Sequence, residues 1–251
     1  GFTNARMSEH KERKTLEERQ QMSDLERLRH SCAHVLATAI CRLWPDAQLA
    51  GGPAVDNGFY YDVELDHRIS TEDFERIEEE MKKVVKENQV FQKEVISRAD
   101  AMKMAESGEL GALGPRSEPS RFKIDLLNDI PEDEEISLYR NGDFTDLCAG
   151  PHLDSTGRIK GNAIKLTACN AAYWRGDSNR QTLQRIYGVA FPSKDELDAY
   201  LKGKNRLCDY LVSTTKTEGR RCSNELAWSR VIWDITTVAW LLDERFMEDY
   251  L

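Results

Sequence analysis

The sequence predicts an α+β fold, in which an antiparallel-rich sheet carries packed helices and a cleft lies between the first helix and the sheet. Some segments repeat apolar residues with helical periodicity, and others alternate as half-buried strands do. Their order lacks the regular strand–helix–strand repetition that builds a parallel sheet. The chain has 251 residues, which is long enough to bury a core without disulfides or structural metals.

The first predicted helix begins at the capping box Ser23-Asp-Leu-Glu26, where each end of the motif satisfies a free backbone N–H of the other. Its apolar side chains fall on one side at 100° per residue. It should end at Trp44, because Pro45 disfavours the helical conformation in the residue before it. Three further helices are predicted at 71–87, 99–106 and 194–203.

Alternation of polar and apolar residues predicts a half-buried strand at 59–65, in which either Tyr60 or Tyr61 should enter the core. Gly51-Gly52-Pro53 is interpreted as a turn, and residues 107–120 as a loop rich in Gly, Pro and Ser. Further strands are predicted at 90–96, 136–140, 143–147, 163–169 and 183–191.

Composition limits the class of protein. The longest apolar run, Val238–Leu242, has five residues, whereas a membrane helix needs about 20, so no membrane association is expected. No basic-then-apolar leader precedes the first helix. The six cysteines contain no C-x-x-C pair, which favours reduced thiols and a cytoplasmic location.

The net charge of −9 disfavours a general nucleic-acid coat, but the charge is unevenly spread. Residues 153–190 carry six basic side chains against two acidic ones, so this segment is +4 and the remainder about −13. A segment of this kind is either a solvated surface or a surface that faces phosphates. Its basic residues are Arg158, Lys160, Lys165, Arg175, Arg180 and Arg185.

Two short motifs hold three of the five histidines. His30 and His34 lie four residues apart, hence on one helix face, and roughly opposite the apolar stripe that should face the core. Cys148 and His152 are separated by Ala-Gly-Pro, a bend that can turn both side chains toward one point. Three imidazoles and one thiolate are an acceptable tetrahedral zinc set. The alternative is a set of ordinary buried side chains.

Five segments in order resemble the editing domain of bacterial threonyl-tRNA synthetases, and more distantly that of alanyl-tRNA synthetases and their freestanding deacylase relatives. They are His30-Ser-Cys-Ala-His34, Asp56-Asn-Gly-Phe-Tyr-Tyr-Asp62, Asp146-Leu-Cys-Ala-Gly-Pro-His152, Ala172-Tyr-Trp-Arg-Gly-Asp-Ser-Asn179 and Leu183-Gln-Arg-Ile-Tyr-Gly188. The resemblance covers about residues 24–203.

This resemblance implies hydrolysis of seryl-tRNA(Thr), the product formed when serine replaces threonine. A synthetic pocket rejects a substrate that lacks one methyl group by only ~1–3 kcal/mol, so a second site must remove the error. The implied partner is the acceptor end of tRNA(Thr) carrying serine, with the six basic residues of 153–190 as candidate RNA contacts. Association with a synthetase is also expected.

Carried over to this sequence, the family's site residues fall on seven positions. His30 is expected to activate water and Lys123 to assist the leaving group. Three others, His34, Cys148 and His152, would shape the pocket and hold water. Asp146 and Tyr61 would bind the substrate.

Three alternatives stay open at this point. The resemblance favours a site that needs no cofactor, but the alanyl branch binds zinc through the same pattern, so Zn²⁺ on His30, His34, Cys148 and His152 is possible. A Cys148 nucleophile is less favoured, because the ester is already activated. The domain could also be a non-catalytic remnant that binds tRNA or a partner.

The predicted organisation has three parts. Residues 1–23 form a polar arm, with a possible cloning remnant at 1–6. Residues 24–203 form the editing-type domain, and 204–251 a Trp-rich helical tail, which either packs on the domain or binds a partner. No P-loop, Rossmann glycine pattern or class II synthetase core motif is visible, so the chain is not expected to aminoacylate tRNA itself.

Overall fold

The fold was analysed in a computed structural model, which describes residues 21–202. The chain divides into two compact units, Gly1–Leu197 and Asp198–Leu251, and every site discussed below lies in the first. The predicted tail and nearly all of the predicted polar arm lie outside the described residues. Among residues 21–202, no helix has the length and apolarity needed to cross a membrane.

Helix α1 (Asp24–Leu43) confirms the predicted start and end. The Ser23 hydroxyl accepts from the Glu26 N–H, and the Glu26 side chain accepts from the Ser23 N–H. Every residue from Ser31 to Cys41 is buried, so the helix face that carries His34 is covered as well as the apolar face opposite it. Small side chains at Ala33, Ala37 and Cys41 allow that close approach: the Cys41 thiol lies 3.6 Å from the Gly111 carbonyl.

A five-stranded antiparallel sheet covers one side of α1. Its strands are β1 (Gln48–Gly51), β2 (Ala54–Val55), β3 (Gly58–Glu64), β7 (Ile164–Tyr173) and β8 (Thr182–Ala190), in the order β1-β3-β8-β7 with β2 also paired to β3. β1 and β2 flank the predicted turn and were not predicted, because strands of four and two residues are too short for alternation to be visible. Tyr61, rather than Tyr60, enters the core.

Helix α2 (Thr71–Lys86) packs against α1 and supplies Phe74, Ile77 and Met81 to the same core. A smaller antiparallel sheet contains β4 (Gln92–Ile96), β5 (Ile136–Asn141) and β6 (Phe144–Leu147) in that order. Beside it lie α3 (Arg98–Glu106) and α4 (Arg121–Asp129), and a further helix, α5, begins at residue 194. The α+β prediction is thereby confirmed, whereas the predicted cleft between α1 and the sheet stays a prediction.

Candidate active site

Helix α1 and the bend after β6 bring four potential ligands together. One donor atom from each of His30, His34, Cys148 and His152 lies within 4.8 Å of the others. The bend depends on Gly150, whose φ of +68° suits glycine. A Cβ there would also lie 2.3 Å from the Tyr139 hydroxyl, so glycine allows the loop to approach that ring. We call these four side chains the His/Cys cluster.

The hydrogen bonds of His30 assign its neutral tautomer. Its Nδ1 lies 3.1 Å from the carbonyl oxygen of Pro151, and a carbonyl can only accept. Nδ1 therefore carries the proton in the neutral ring, and Nε2 carries the lone pair. Nε2 lies 3.5 Å from the Cys148 thiol. The side chain is partly exposed, so a basic nitrogen is held in a fixed direction within reach of solvent.

His152 is oriented by α1 from the other side. Its Nδ1 lies 3.2 Å from the Ser31 hydroxyl, which itself accepts from the Leu153 N–H at 3.0 Å. When the Ser31 hydroxyl donates to Nδ1, the Nε2–H of His152 points at the Cys148 sulfur, 3.3 Å away. The Gly150 N–H also donates to that sulfur, at 3.2 Å. The Cys148 sulfur therefore contacts one histidine from each of the two motifs, His30 and His152.

Aromatic packing keeps two of the imidazoles neutral. The His152 ring stacks on Phe91 at a centroid distance of 4.9 Å and meets Tyr139 at 4.5 Å, while His34 meets Phe144 edge-on at 5.7 Å. Burial lowers the pKa of His34 from 6.5 to about 3 and lowers the pKa of His152 well below its usual value. Both rings are therefore weak bases at neutral pH.

The buried neutral His34 should make stability depend on pH. The unfolded chain binds this proton near pH 6.5 and the folded chain only near pH 3. The imidazole therefore adds no pH-dependent cost above about pH 6.5, and it lowers the free energy of unfolding by ~1.4 kcal/mol per pH unit as the pH falls from that value towards pH 3. Urea denaturation at pH 7, 6 and 5 should show a shallower loss for His34→Leu than for the unchanged chain. If the free energy of unfolding falls equally with pH in the two proteins, His34 is not the source of the pH dependence.

Three further predicted residues form a second buried group, which we call the Lys123 network. The ammonium of Lys123 lies 2.7 Å from Asp146 Oδ1 and donates to the Ala50 carbonyl at 3.0 Å. The Tyr61 hydroxyl donates to the other oxygen of Asp146. Because burial and the Asp146 carboxylate disfavour the phenolate, the pKa of Tyr61 is raised well above 10. The three side chains are nearly inaccessible to solvent.

A pocket of about 450 Å³ opens beside the cluster, and we call it the Cys148 pocket. His30, Cys148, Ala149 and Gly52 line it, together with apolar side chains of α4 and β5. A Cβ on Gly52 would lie 2.2 Å from the Tyr61 ring, so the Lys123 network lies directly behind the wall of this pocket. Of the seven predicted residues, His30 and Cys148 line this pocket, Tyr61 lies behind its Gly52 wall, and the others contact these three directly or through one another.

The six basic residues of 153–190 do not share one environment. Four of them pair with carboxylates: Lys165 with Glu78, Arg175 with Asp129, Arg180 with Asp125, and Arg185 with Asp62. Arg158 and Lys160 instead line a different pocket, together with His152. The role of all six in RNA binding stays a prediction.

Part of the His/Cys cluster matches the dimensions of a zinc site. Bonds of ~2.0–2.3 Å place tetrahedral ligands about 3.3–3.8 Å apart, and Cys148 Sγ lies 3.5 and 3.3 Å from the Nε2 atoms of His30 and His152. As a set, the four donor atoms are spread over as much as 4.8 Å, which is wider than a tetrahedral site. The buried Nδ1 of His34 has no hydrogen-bond partner among the described residues. These four side chains are therefore the ones that would hold Zn²⁺, after a small inward movement.

Sequence reasoning missed the supports of the site. Ser31 lies inside the H-x-x-x-H motif, yet nothing in its sequence context marks it as the residue that orients His152. Helix α4, which carries Lys123, was not predicted, although the spacing of Phe122, Leu126 and Leu127 could have indicated it. Tyr139 lies in β5 and Phe91 directly precedes β4, and no sequence pattern connects either residue to the histidines.

Residues 136–187 match the family model described as the threonyl and alanyl tRNA synthetase second additional domain. This match covers β5 to β8, including Cys148 and His152, and it defines the class of domain to which the site belongs.

Three curated relatives are all threonine–tRNA ligases, which distinguishes the threonyl from the alanyl members of this family. The chain is 51% identical over 175 residues to a threonine–tRNA ligase of Clostridium tetani, covering 70% of this chain and 26% of the relative. It is 49% identical to those of Acetivibrio thermocellus over 173 residues and Clostridioides difficile over 199, covering 69% and 79% of this chain. The chain therefore belongs to the threonyl-tRNA synthetase second-additional-domain family, and it spans about a quarter of the length of these relatives.

Proposed function

We propose that this chain hydrolyses the ester of mischarged seryl-tRNA(Thr). The observation that carries the proposal is the His/Cys cluster, which places a correctly oriented imidazole at the wall of an open pocket in a domain of this family. The substrate would be the acceptor end of tRNA(Thr) carrying serine, in a cytoplasmic setting. The activity would be exerted as part of a synthetase or in trans.

His30 is best suited to activate water. Hydrolysis needs a base whose lone pair can reach a water molecule beside the ester carbonyl. Nε2 of His30 holds that lone pair, because Nδ1 donates to Pro151. Burial makes His34 and His152 weaker bases than an exposed imidazole. They and Cys148 would shape the pocket and hold the attacking water.

The Lys123 network would act from behind the pocket wall. The Asp146 carboxylate is the group that would accept from the ammonium or hydroxyl of the seryl group, and Tyr61 would position it. Lys123 would assist the leaving ribose oxygen. In the described structure the Lys123 ammonium is engaged by Asp146. Its role in the reaction would therefore require substrate to displace part of this network.

The same geometry offers a reason for selectivity. A pocket that discriminates by contact gains only ~1–3 kcal/mol per methyl group, whereas one that clashes with the extra methyl of threonine admits serine and excludes threonine. Editing sites therefore need a rigid wall. In this protein the buried Tyr61 ring against Gly52 would act as that wall.

Zinc is a second possibility, supported by the ligand distances given above. Bound Zn²⁺ would supply Lewis acidity and a water of lowered pKa. Catalytic zinc keeps an open position, so one of the four side chains would have to be absent from the coordination sphere. The residues that would hold it are His30, His34, Cys148 and His152.

Release of serine from seryl-tRNA(Thr) beside threonyl-tRNA(Thr) tests the proposal. We expect serine release well above the uncatalysed rate and little release of threonine. No serine release above background would refute the enzyme proposal and favour a non-catalytic binding role. Equal cleavage of both substrates would refute selection by the methyl group. Loss of activity on treatment with a chelator, restored by Zn²⁺, would favour the zinc-dependent alternative.

A further inference from the structure

A second pocket reaches the His/Cys cluster from the side of His152. It has a volume of about 500 Å³, and we call it the Arg158 pocket. The charged side chains Arg27, Arg158, Lys160, Asp24 and Asp154 line it, and His152 reaches its wall. Nε2 of His152 lies 3.3 Å from the Cys148 sulfur, so this pocket reaches one side chain of the cluster, whereas the Cys148 pocket reaches His30 and Cys148.

The two pockets differ in charge. The Cys148 pocket is lined by the carboxylates of Asp129 and Glu135 and by no lysine or arginine of the described chain. The Arg158 pocket is lined by three cations and by the two carboxylates of Asp24 and Asp154, so its formal charge is +1 against −2 for the Cys148 pocket. Within residues 21–202, none of these three has a carboxylate oxygen within 4.0 Å. This separates Arg158 and Lys160 from the four other basic residues of their segment.

One feature of α1 adds to the attraction for an anion. Nε of Arg27 is buried and lacks a hydrogen-bond partner among the described residues, which is costly unless a ligand or water satisfies it. The helix dipole adds little, because Asp24 and Glu26 in the first turn already compensate the positive N-terminus. The site therefore offers donors and positive charge from two separate parts of the chain.

We propose that the Arg158 pocket binds a backbone phosphate of the RNA strand that carries the ester, while the aminoacyl group enters the Cys148 pocket. This inference rests on the proposed function. The ester and the nearest phosphate belong to the same terminal nucleotide and are separated by one ribose. A phosphate held beside His152 therefore leaves the ester within reach of the cluster. Arg27, Arg158 and Lys160 are positioning residues in this arrangement.

Binding of uncharged tRNA(Thr) transcript by the full chain provides the test. The double variant Arg158→Gln/Lys160→Gln is compared with Arg68→Gln/Lys103→Gln, which also removes one arginine and one lysine, both exposed and not lining the Arg158 pocket. We expect the first variant to weaken binding roughly tenfold and the control to change it little. The slope of log Kd against log salt should fall by about 0.7 for each phosphate that the variant no longer binds.

A transcript without its single-stranded 3′ end locates the contact. We expect the unchanged chain and Arg158→Gln/Lys160→Gln to bind this shortened RNA equally. In seryl-tRNA(Thr) deacylation, the variant should raise KM and leave kcat unchanged. An equal loss in the control variant, an undiminished effect on the shortened RNA, or no measurable binding by the unchanged chain would each overturn the proposal. Because binding is measured without turnover, failure of the deacylase activity itself would be seen separately.

Discussion

Replacing Lys123 with methionine is expected to lower the free energy of unfolding by about 3–5 kcal/mol, because it leaves the buried carboxylate of Asp146 without its cationic partner. Their side chains are only 1% and 4% exposed, so water cannot replace the missing ion pair. The Tyr61 hydroxyl and the Leu147 N–H still donate to this carboxylate, but neither compensates its charge. Urea denaturation at pH 7 measures the change.

Lys165→Met is the matched control. Its ammonium pairs with Glu78 at 3.1 Å, but the Lys165 side chain is 47% exposed. Glu78 is only 11% exposed, but it keeps the hydrogen bond from the Leu166 N–H, so the loss should be about 1 kcal/mol, the upper end for a surface pair. A second variant, Lys123→Met/Asp146→Asn, also removes the unpaired charge of Asp146 and should recover part of the lost free energy of unfolding. If Lys123→Met is no more destabilising than Lys165→Met, or if the double variant is less stable than the single one, the buried ion pair does not have the energetic role assigned to it.

Replacing His30 with alanine is expected to slow deacylation of seryl-tRNA(Thr) by about 10²–10⁴-fold, the usual contribution of a positioned general base. Stability should change little, because His30 is partly exposed and lines a pocket, so water can replace its contacts with the Pro151 carbonyl and the Cys148 thiol. The measurement is single-turnover release of serine, with urea denaturation of the same preparation.

His67→Ala controls for loss of an imidazole elsewhere. That ring is 45% exposed and pairs with Asp73 at 3.0 Å, far from the proposed chemistry in sequence and outside the Cys148 pocket. It should retain the rate of the unchanged chain. A His30→Ala rate within about threefold of the His67→Ala rate would be too small for loss of a general base and would remove His30 from the proposed role.

Local rules were sufficient for much of the fold. The capping box and Pro45 fixed both ends of α1, and alternation predicted β3 and most later strands to within a few residues. Short elements escaped these rules. β1 and β2 are formed by pairing with β3 rather than by their own pattern, and strand pairing is a property of the partner as well as of the segment.

Of the site, local sequence patterns indicated only the two motifs that contain His30, His34, Cys148 and His152. The histidine spacing on α1 and the Cys148–His152 bend predicted a shared cluster, and both are found there. The resemblance, rather than any pattern, pointed to Lys123, since a lysine beside apolar residues is usually a surface charge. Its burial follows from contacts with Ala50 and Asp146, which lie 73 and 23 positions away in the chain.

The uneven charge of the sequence also needed the fold for its interpretation. Composition alone determined that residues 153–190 are basic within an acidic chain, and it made all six basic side chains equal candidates for binding phosphate. Tertiary structure divided them, because acids distant in sequence neutralise four of them and leave Arg158 and Lys160 beside His152. Charge is a property of each residue, whereas its availability to a ligand depends on what folding brings within a few ångströms.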